Sequence, residues 1–276
     1  MLEIGKFNQL EVKNISPAGA LLASEAGDIL LPQKYIPAGS KPGDSINVFV
    51  YRDSNDRLIA TTRTPKTQVG EFAVLEVRDS GPVGAFLDWG LEKDLLVPFS
   101  EQPAPMKKGE RHLVGIYLDN SGRIAASAKI GKFLEAENIP LTVGEEVDLM
   151  IYECTDLGAK VIINGRYPGL LFRDEIYGKP FPGARFKGYV RTVRADKKID
   201  VTLRKPGDKG LEGSKERVLK ALAATGGFLP LGDKSPPDLI GEVLKMSKKT
   251  FKKAIGNLYK EGFIDLTEDG IKLRKS

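Results

Sequence analysis

Apolar and polar residues alternate along much of the chain before Arg204. Phe72 and Val74 show this spacing, the Glu-flanked Val77 follows in the same segment, and short polar runs such as DSND and DNSG separate segments of this kind. Alternation with a period of two predicts half-buried β-strands. Asp, Asn, Ser and Gly tolerate the backbone angles of tight turns, so the polar runs predict hairpins.

The strand pattern is repeated along the chain. Four blocks recur in the same order at an offset of 65 or 66 residues: GKFNQLEV (from Gly5) and GEFAVLEV (Gly70), AGALLAS (Ala18) and VGAFLDW (Val83), PGD (Pro42) and KGE (Lys108), VYRDSNDRLIATTR (Val50) and IYLDNSGRIAASAK (Ile116). A third, more divergent copy begins near Val143 and ends at Arg204. A repeat of this length indicates that one structural unit occurs three times.

Each copy has the size of a small β-barrel. About 65 residues with five strands are typical of a partly open Greek-key barrel of the OB type. Such barrels need sharply bent strands, and Gly19 and Gly84 lie where a bend is expected. The sequence therefore predicts a mainly β protein with three tandem five-stranded OB-fold barrels, at residues 1–64, 65–131 and 142–205.

The pattern changes to a helical one near the C-terminus. Residues 207–210, GDKG, indicate a linker. We expect three helices with Ser214, Ser235 and Ser247 as N-caps, and an apolar stripe on the third at Phe251, Ile255, Leu258 and Tyr259. A final hairpin flanks TEDG. Three helices and a hairpin predict a winged-helix domain at residues 211–276.

Composition narrows the chemistry. One cysteine, Cys154, cannot form an internal disulfide, which is typical of a reducing cytoplasm. One histidine, His112, rules out a multi-histidine metal site, and the acidic residues form no dense cluster in the sequence. No apolar run approaches the roughly 20 residues of a membrane-spanning helix. We expect no metal, cofactor, catalytic residues or membrane contact.

Charge is unevenly distributed. The net charge is +5, but residues 131–165 hold two basic and seven acidic residues, whereas residues 166–204 hold ten basic and four acidic ones. Residues 205–276 add a net charge of +5. A basic second half favours a polyanionic partner.

The motifs of the second copy, GPVGAFLDWG, LLVPFSE and LDNSGRIAAS, resemble an S1 RNA-binding domain. Three such copies before a basic helical domain resemble the conserved virulence factor B family of bacteria, and this resemblance covers nearly the whole chain. It implies cytoplasmic RNA-binding regulators built from three S1 barrels and a winged helix.

The S1 motif has two aromatics around a Gly-Ala step, a histidine after the next strand, and an Asp with a basic residue in the last hairpin. In the second copy these positions hold Val83, Phe86, Pro98, Asp119 and Arg123. In the first copy they hold Ala18, Leu21, Pro32, Asp53 and Arg57. In the third copy they hold Leu157, Lys160, Phe172, Asp196 and Lys198. The motif is incomplete in every copy, and the first has lost all of its aromatics.

Two kinds of side chain are candidates for contacts with RNA. An exposed aromatic stacks on any base, and Arg or Lys contacts phosphate. Trp89 lies three residues from Phe86, on the opposite strand face, so we expect Trp89 in the core and Phe86 on the surface. The strand FKGYVRTVR places Lys187, Tyr189 and Arg191 on one face as a basic stripe, which favours the third barrel as the main site. The predicted RNA-binding residues are Phe86, Asp119, Arg123, Lys160, Phe172, Arg173, Lys187, Tyr189, Arg191, Arg194, Lys198, Lys248, Lys249, Lys252 and Lys253.

These observations favour a noncatalytic protein that binds single-stranded RNA with low sequence specificity and regulates gene expression after transcription. A DNA-binding transcriptional regulator is the alternative, because the third helix of a winged helix often enters the DNA major groove. Docking of the winged helix on a ribosome or polymerase subunit is a further alternative. The sequence predicts no particular RNA target or oligomeric state.

Overall fold

The structure, a computed structural model, describes residues 1–176, 180–205 and 211–274. It divides into two compact units, Met1–Phe133 and Leu134–Ser276. The predicted fold class is confirmed, since three five-stranded barrels precede a small winged helix. The linker predicted at residues 207–210 lies outside the described residues.

The first barrel is closed. Its strands are β1 (Phe7–Ser16), β2 (Gly19–Leu22), β3 (Ile29–Pro32), β4 (Ser45–Arg52) and β5 (Leu58–Thr61). The order is β1-β2-β3-β5-β4, and parallel pairing of Leu30 with Ile59 joins β3 to β5. Leu31 and Val48 point inward and are fully buried, as alternation along half-buried strands requires.

The second barrel has the same strand order in an open form. Its strands are β6 (Phe72–Gly81), β7 (Gly84–Asp88), β8 (Leu95–Pro98), β9 (Arg111–Leu118) and β10 (Ile124–Ser127). The sheet runs β10-β9-β6-β7-β8, which is the circular order of the first barrel opened between β8 and β10.

The third barrel is closed and contains a bulge. Its strands are β11 (Glu146–Thr155), β12 (Gly158–Ile163), β13 (Tyr167–Phe172), β14 (Arg185–Val193) and β15 (Ile199–Thr202), in the order β11-β12-β13-β15-β14. Val190 pairs with Val201 and Thr192 with Asp200, so Arg191 is the extra residue of a bulge in β14.

One glycine begins the second strand of each barrel. Gly19, Gly84 and Gly158 have φ angles of 145°, 151° and 153°. A Cβ atom there would lie 2.2, 2.1 and 2.1 Å from the carbonyl oxygens of Leu31, Val97 and Leu171, respectively. Only glycine allows the neighbouring strand to approach so closely. The predicted structural role of Gly19 and Gly84 is confirmed.

The hydrophobic core of the second barrel extends into the first barrel, and both lie within Met1–Phe133. The Trp89 ring packs edge-on against Phe49 and Tyr51 of the first barrel, with ring centroids 5.7 and 6.5 Å apart. Its indole N–H donates to the Lys93 carbonyl at 2.6 Å. Trp89 is 2% exposed, so its predicted place in the core is confirmed, although that core spans two barrels.

The C-terminal domain is a winged helix. Its elements are α1 (Leu211–Ala224), β16 (Phe228–Leu229), α2 (Pro237–Leu244), α3 (Lys248–Lys260), β17 (Ile264–Thr267) and β18 (Gly270–Leu273). The sheet runs β16-β18-β17, and Val218, Ile240, Phe251 and Ile271 meet in the core. No helix in the described residues is long and apolar enough to cross a membrane.

Three local predictions for this domain are wrong. The helix α1 begins before Ser214, which is buried within it rather than capping it. The Ser235 hydroxyl accepts from the Gly232 N–H, and Pro236 precedes α2 without a side-chain cap. Tyr259 is exposed on α3, because Ala254 completes the buried stripe instead. The predicted cap of α3 is confirmed, since Ser247 accepts from the Thr250 N–H at 3.1 Å.

Candidate nucleic-acid interface

Phe172 is the aromatic on the outer face of the third barrel with basic neighbours. It ends β13, directly after the buried Leu171, so alternation turns its ring outward, and it is half-buried. Gly158 lies opposite it on β12, which leaves the adjacent position on this face without a side chain. The ring is therefore accessible from one side of the sheet.

Two arginines lie against this ring. The guanidinium carbons of Arg191 and Arg194 are 6.0 and 5.9 Å from the Phe172 ring centroid. Arg191 reaches the ring from the bulge of β14, and Arg194 begins the turn after that strand. Cationic groups within about 6 Å of a ring make favourable cation–π contacts. The strand β14 thus supplies two positive charges to the surface around Phe172.

Two buried carboxylates hold these arginines. Asp200 on β15 accepts two hydrogen bonds from Arg194, at 2.7 and 2.8 Å, and this pairing raises the pKa of Arg194. Glu175, in the short 3-10 turn after β13, accepts from Arg191 at 3.2 Å. Glu175 also accepts from the Leu203 N–H at 3.0 Å and from the Thr202 hydroxyl. Each arginine is therefore held in position by a buried carboxylate.

The predicted face of β14 is present, since Lys187, Tyr189 and Arg191 are exposed or half-buried while Gly188 and Val190 between them are buried, and the bulge follows at Arg191. The Lys187 ammonium lies 2.8 Å from Asp148 on β11, and this hydrogen bond raises the pKa of Lys187. The Tyr189 hydroxyl donates to Glu146 on the same strand at 3.1 Å. Lys187 and Tyr189 thus pair with acids of β11, whereas Arg191 joins Phe172.

Three other predicted residues of this barrel lie around the same face. Lys160 on β12 is paired with Glu153 at 2.9 Å. Lys198 is paired with Asp196 at 3.0 Å in the exposed β14–β15 turn. Arg173 follows Phe172 directly, and its side chain is exposed while its backbone N–H donates to the Leu157 carbonyl at 3.1 Å. Of these three, Arg173 has the basic side chain adjacent in sequence to the ring.

Two positions of the third barrel differ from the motif comparison or were missed by it. Arg194, not Asp196, begins the last hairpin, since its N–H donates to the Lys198 carbonyl as that of Asp119 donates to Arg123. Arg204 is a half-buried base after β15, and its N–H donates to the Thr202 hydroxyl. Arg63, Lys129 and Arg204 occupy the same position at the ends of the three copies. An alignment of the copies at these ends could have identified this basic position.

In the second barrel, Arg123 is part of the junction with the first barrel. The sequence predicts that it contacts RNA beside Asp119. Its guanidinium instead lies 2.8 Å from Asp56, and the Lys93 ammonium donates to the Asp53 carbonyl at 2.9 Å across the same junction. The hydrogen bond from Arg123 lowers the pKa of Asp56. Arg123 thus supports the contact between the two barrels, so it is not a basic side chain that faces only solvent.

The Asp119 side chain forms hydrogen bonds within the turn and is not an open binding group. Its Oδ1 accepts from the N–H groups of Ser121 and Arg123 at 2.8 and 3.0 Å. Burial acts to raise the pKa of Asp119, but hydrogen bonds from the Ser121 hydroxyl and from these two N–H groups outweigh it and lower the pKa. The carboxylate is therefore charged and committed to the hairpin.

The aromatics of the second barrel are less well placed than Phe172. Phe86 lies on the outer face of β7 and is half-buried, as predicted. Phe99, directly after β8, is 55% exposed and was missed by the motif comparison because it follows Pro98 instead of replacing it. This barrel therefore presents aromatic surface, but Arg123, its predicted basic partner, faces the first barrel.

The lysines of α3 form a basic helix surface. Lys249, Lys252 and Lys253 are exposed and Lys248 is half-buried. The Lys252 ammonium lies 2.8 Å from Asp233. Lysine contacts phosphate but does not read base sequence in the bidentate manner of arginine, asparagine or glutamine. This surface therefore offers positive charge but no clear means of recognising a particular base sequence.

Within the described ranges, no three His, Cys, Asp or Glu side chains come together as a metal-binding group. Asp200 and Glu175, the two buried acids beside Phe172, are both paired with arginine. The arrangement can therefore hold an anionic, aromatic ligand.

Two known domain families match parts of the chain. The S1 domain family matches residues 4–63 and 69–129, and the CvfB-like winged helix domain family matches residues 216–273. A crystal structure of a multidomain protein with nucleic acid binding domains from Streptococcus pneumoniae is 23% identical, covers 98% of each chain and has a TM-score of 0.44.

The protein is therefore a chain of S1-type barrels joined to a winged helix, which are both nucleic-acid-binding classes of domain. Conserved virulence factor B of Staphylococcus epidermidis is 26% identical over 99% of this chain and 95% of its own length. The uncharacterized protein YitL of Bacillus subtilis is 28% identical over 94% and 89%. The chain thus contains two S1 domains and a CvfB-like winged helix domain, and it is similar over nearly its whole length to proteins named conserved virulence factor B.

Proposed function

We propose that this protein binds single-stranded RNA through its third barrel without catalysing a reaction. The observation that carries the proposal is the outward ring of Phe172 with Arg191 and Arg194 about it. A base stacked on an aromatic side chain contributes about 1–3 kcal/mol and needs no particular sequence. The two guanidinium groups would contact the flanking phosphates.

The remaining surfaces would add affinity without adding specificity. Phe86 and Phe99 give the second barrel aromatic surface for further bases, and the α3 lysines give phosphate contacts. Weak sites on one chain reinforce each other through their high effective concentration. Low sequence specificity of this kind fits a cytoplasmic regulator that acts on transcripts after their synthesis.

A comparison of three nucleic acids tests the proposal. Single-stranded RNA, single-stranded DNA and duplex DNA of matched length would be titrated with the full chain at several salt concentrations. We expect the tightest binding to single-stranded RNA, with log K falling by about 0.7 for each phosphate contact per tenfold rise in salt.

A clear preference for duplex DNA would overturn the proposal. That result would favour a DNA-binding regulator acting through the exposed Lys249 and Lys253 of α3. Absence of binding to all three nucleic acids would favour the remaining alternative, a winged helix that docks on a ribosome or polymerase subunit.

A further inference from the structure

The two carboxylates beneath the arginine pair are themselves almost inaccessible to solvent. Glu175 is 3% and Asp200 is 7% exposed, whereas the arginines that they bind are partly open to solvent. Burying a carboxylate is unfavourable unless hydrogen bonds compensate for the lost water. For Asp200 the compensation comes from the two hydrogen bonds of Arg194, whereas Glu175 accepts from Arg191 as well as from Thr202 and Leu203. Each arginine is therefore held by a buried carboxylate.

The acid at position 200 is not needed to build the barrel. In the matching position of the other two barrels, β5 has Ile59 and β10 has Ala125. Ile59 pairs with Leu30 just as Asp200 pairs with Leu170. The same fold therefore forms with an apolar residue there, and the buried acid occurs in the barrel whose hairpin begins with Arg194.

We propose that Asp200 and Glu175 are positioning residues for RNA binding, which hold Arg194 and Arg191 against Phe172 before the RNA arrives. A free arginine loses rotamer freedom when it binds, whereas a prearranged one has already lost it on folding. This inference rests on the proposed function of the third barrel. It adds that affinity depends on the geometry of the two guanidinium groups as well as on their charge.

Charge and geometry predict opposite results for one substitution. Asp200→Asn removes a negative charge, so the electrostatic attraction of RNA alone would make binding tighter. An amide has one acceptor oxygen, and its NH2 group would face an N–H of Arg194, so the two-bonded contact is lost. If positioning dominates, we expect affinity for a single-stranded RNA oligonucleotide to fall about fivefold.

Asp196→Asn is the matched control. Asp196 lies in the same hairpin, its side chain is exposed, and it is paired with Lys198 rather than with an arginine at Phe172. The change in net charge is the same. We expect Asp196→Asn to bind RNA as tightly as the unmodified chain or slightly more tightly. Equal effects of the two substitutions would overturn the inference.

Arg194→Lys keeps the charge and avoids any change in the core. Lysine cannot form the two-bonded contact with Asp200, and its ammonium group cannot stack as a planar group on an aromatic ring. We expect affinity to fall as for Asp200→Asn, with an unchanged slope of log K against log salt. A slope lower by about 0.7 would mean a lost phosphate contact instead, and unchanged affinity would contradict positioning.

The outcomes separate this inference from the function on which it rests. If Phe172→Ala weakens RNA binding but Asp200→Asn and Arg194→Lys do not, the site is real and the positioning role is wrong. If Phe172→Ala has no effect either, the proposed function of the third barrel fails. Circular dichroism melting of every variant establishes that the compared proteins are folded, and Glu175→Gln replaces Asp200→Asn if the latter unfolds.

Discussion

Aromatic residues in this protein have two distinct environments, which a motif comparison alone does not separate. Trp89 is enclosed by Phe49 and Tyr51 of the neighbouring barrel, while Phe172 ends a strand on an outer face. The first environment stabilises a pair of barrels and the second leaves a ring for a ligand. The number of aromatics in a barrel is therefore a poor guide to its binding capacity.

Tyr51 makes the junction of the first two barrels sensitive to alkaline pH. Burial raises the pKa of Tyr51 from 10.0 to about 12. Between these values the unfolded chain releases a proton that the folded chain retains, so the stability present below pH 10 is lost as the pH rises to 12. We expect a loss of about 1.4 kcal/mol from this group by pH 11.

Tyr51→Phe is the comparison for this prediction. Phenylalanine keeps the packing against Trp89 but cannot ionise. Urea unfolding followed by the fluorescence of Trp89, the sole tryptophan, would give the free energy of unfolding at pH 9 and pH 11. The variant should lose less stability than the unmodified chain between these two values. Equal losses would mean that Tyr51 does not titrate as its burial requires.

At the scale of elements, the glycine that begins the second strand sets the packing of each barrel. Gly84→Ala would place a Cβ atom 2.1 Å from the Val97 carbonyl oxygen. We expect this clash to destabilise Met1–Phe133 by about 2–3 kcal/mol. Urea unfolding with Trp89 fluorescence would measure the change.

Gly131→Ala is the matched control in the same barrel. Nothing lies within 4 Å of a Cβ atom at Gly131, so its substitution should change the free energy of unfolding by less than about 0.5 kcal/mol. If both variants have the same stability, the close approach of β7 and β8 does not require glycine.

Elements show how far the sequence predicts this structure. The repeat predicts the five-stranded plan and a structural role for Gly19 and Gly84, because both depend on local backbone geometry. The bulge at Arg191 could not be predicted, since it leaves no signature in the alternation of FKGYVRTVR. The role of Arg123 was likewise hidden, because its partner Asp56 belongs to another barrel.

The predictions for the winged helix likewise succeed where local contacts decide the structure and fail where other contacts do. Ser247 is a cap because it directly precedes a helix whose first turn it can reach, which sequence proximity indicates. Ser235 fails because its hydroxyl is used by a tighter loop contact with Gly232. Local signals thus succeed until a competing hydrogen bond or a tertiary contact intervenes.

At the scale of the whole molecule, RNA contacts should concentrate in the second half. Deletion of residues 144–276 removes the third barrel and the winged helix but leaves the compact unit Met1–Phe133. We expect the shortened protein to stay folded and to bind single-stranded RNA at least about tenfold more weakly, because it lacks Phe172 and the basic residues of the second half. Binding as tight as that of the full chain would move the site to the first two barrels.

The central claim is that one ring of the third barrel binds the RNA, and a paired substitution in the full chain tests it most directly. Phe172→Ala removes that ring, and Phe181→Ala removes a 64% exposed phenylalanine from the segment just before β14. The measurement is the affinity of each variant for the same single-stranded RNA at one salt concentration. We predict at least about a fivefold loss for Phe172→Ala, because a stacked base contributes about 1–3 kcal/mol, and no more than a twofold change for Phe181→Ala. Equal affinities of the two variants would contradict the account.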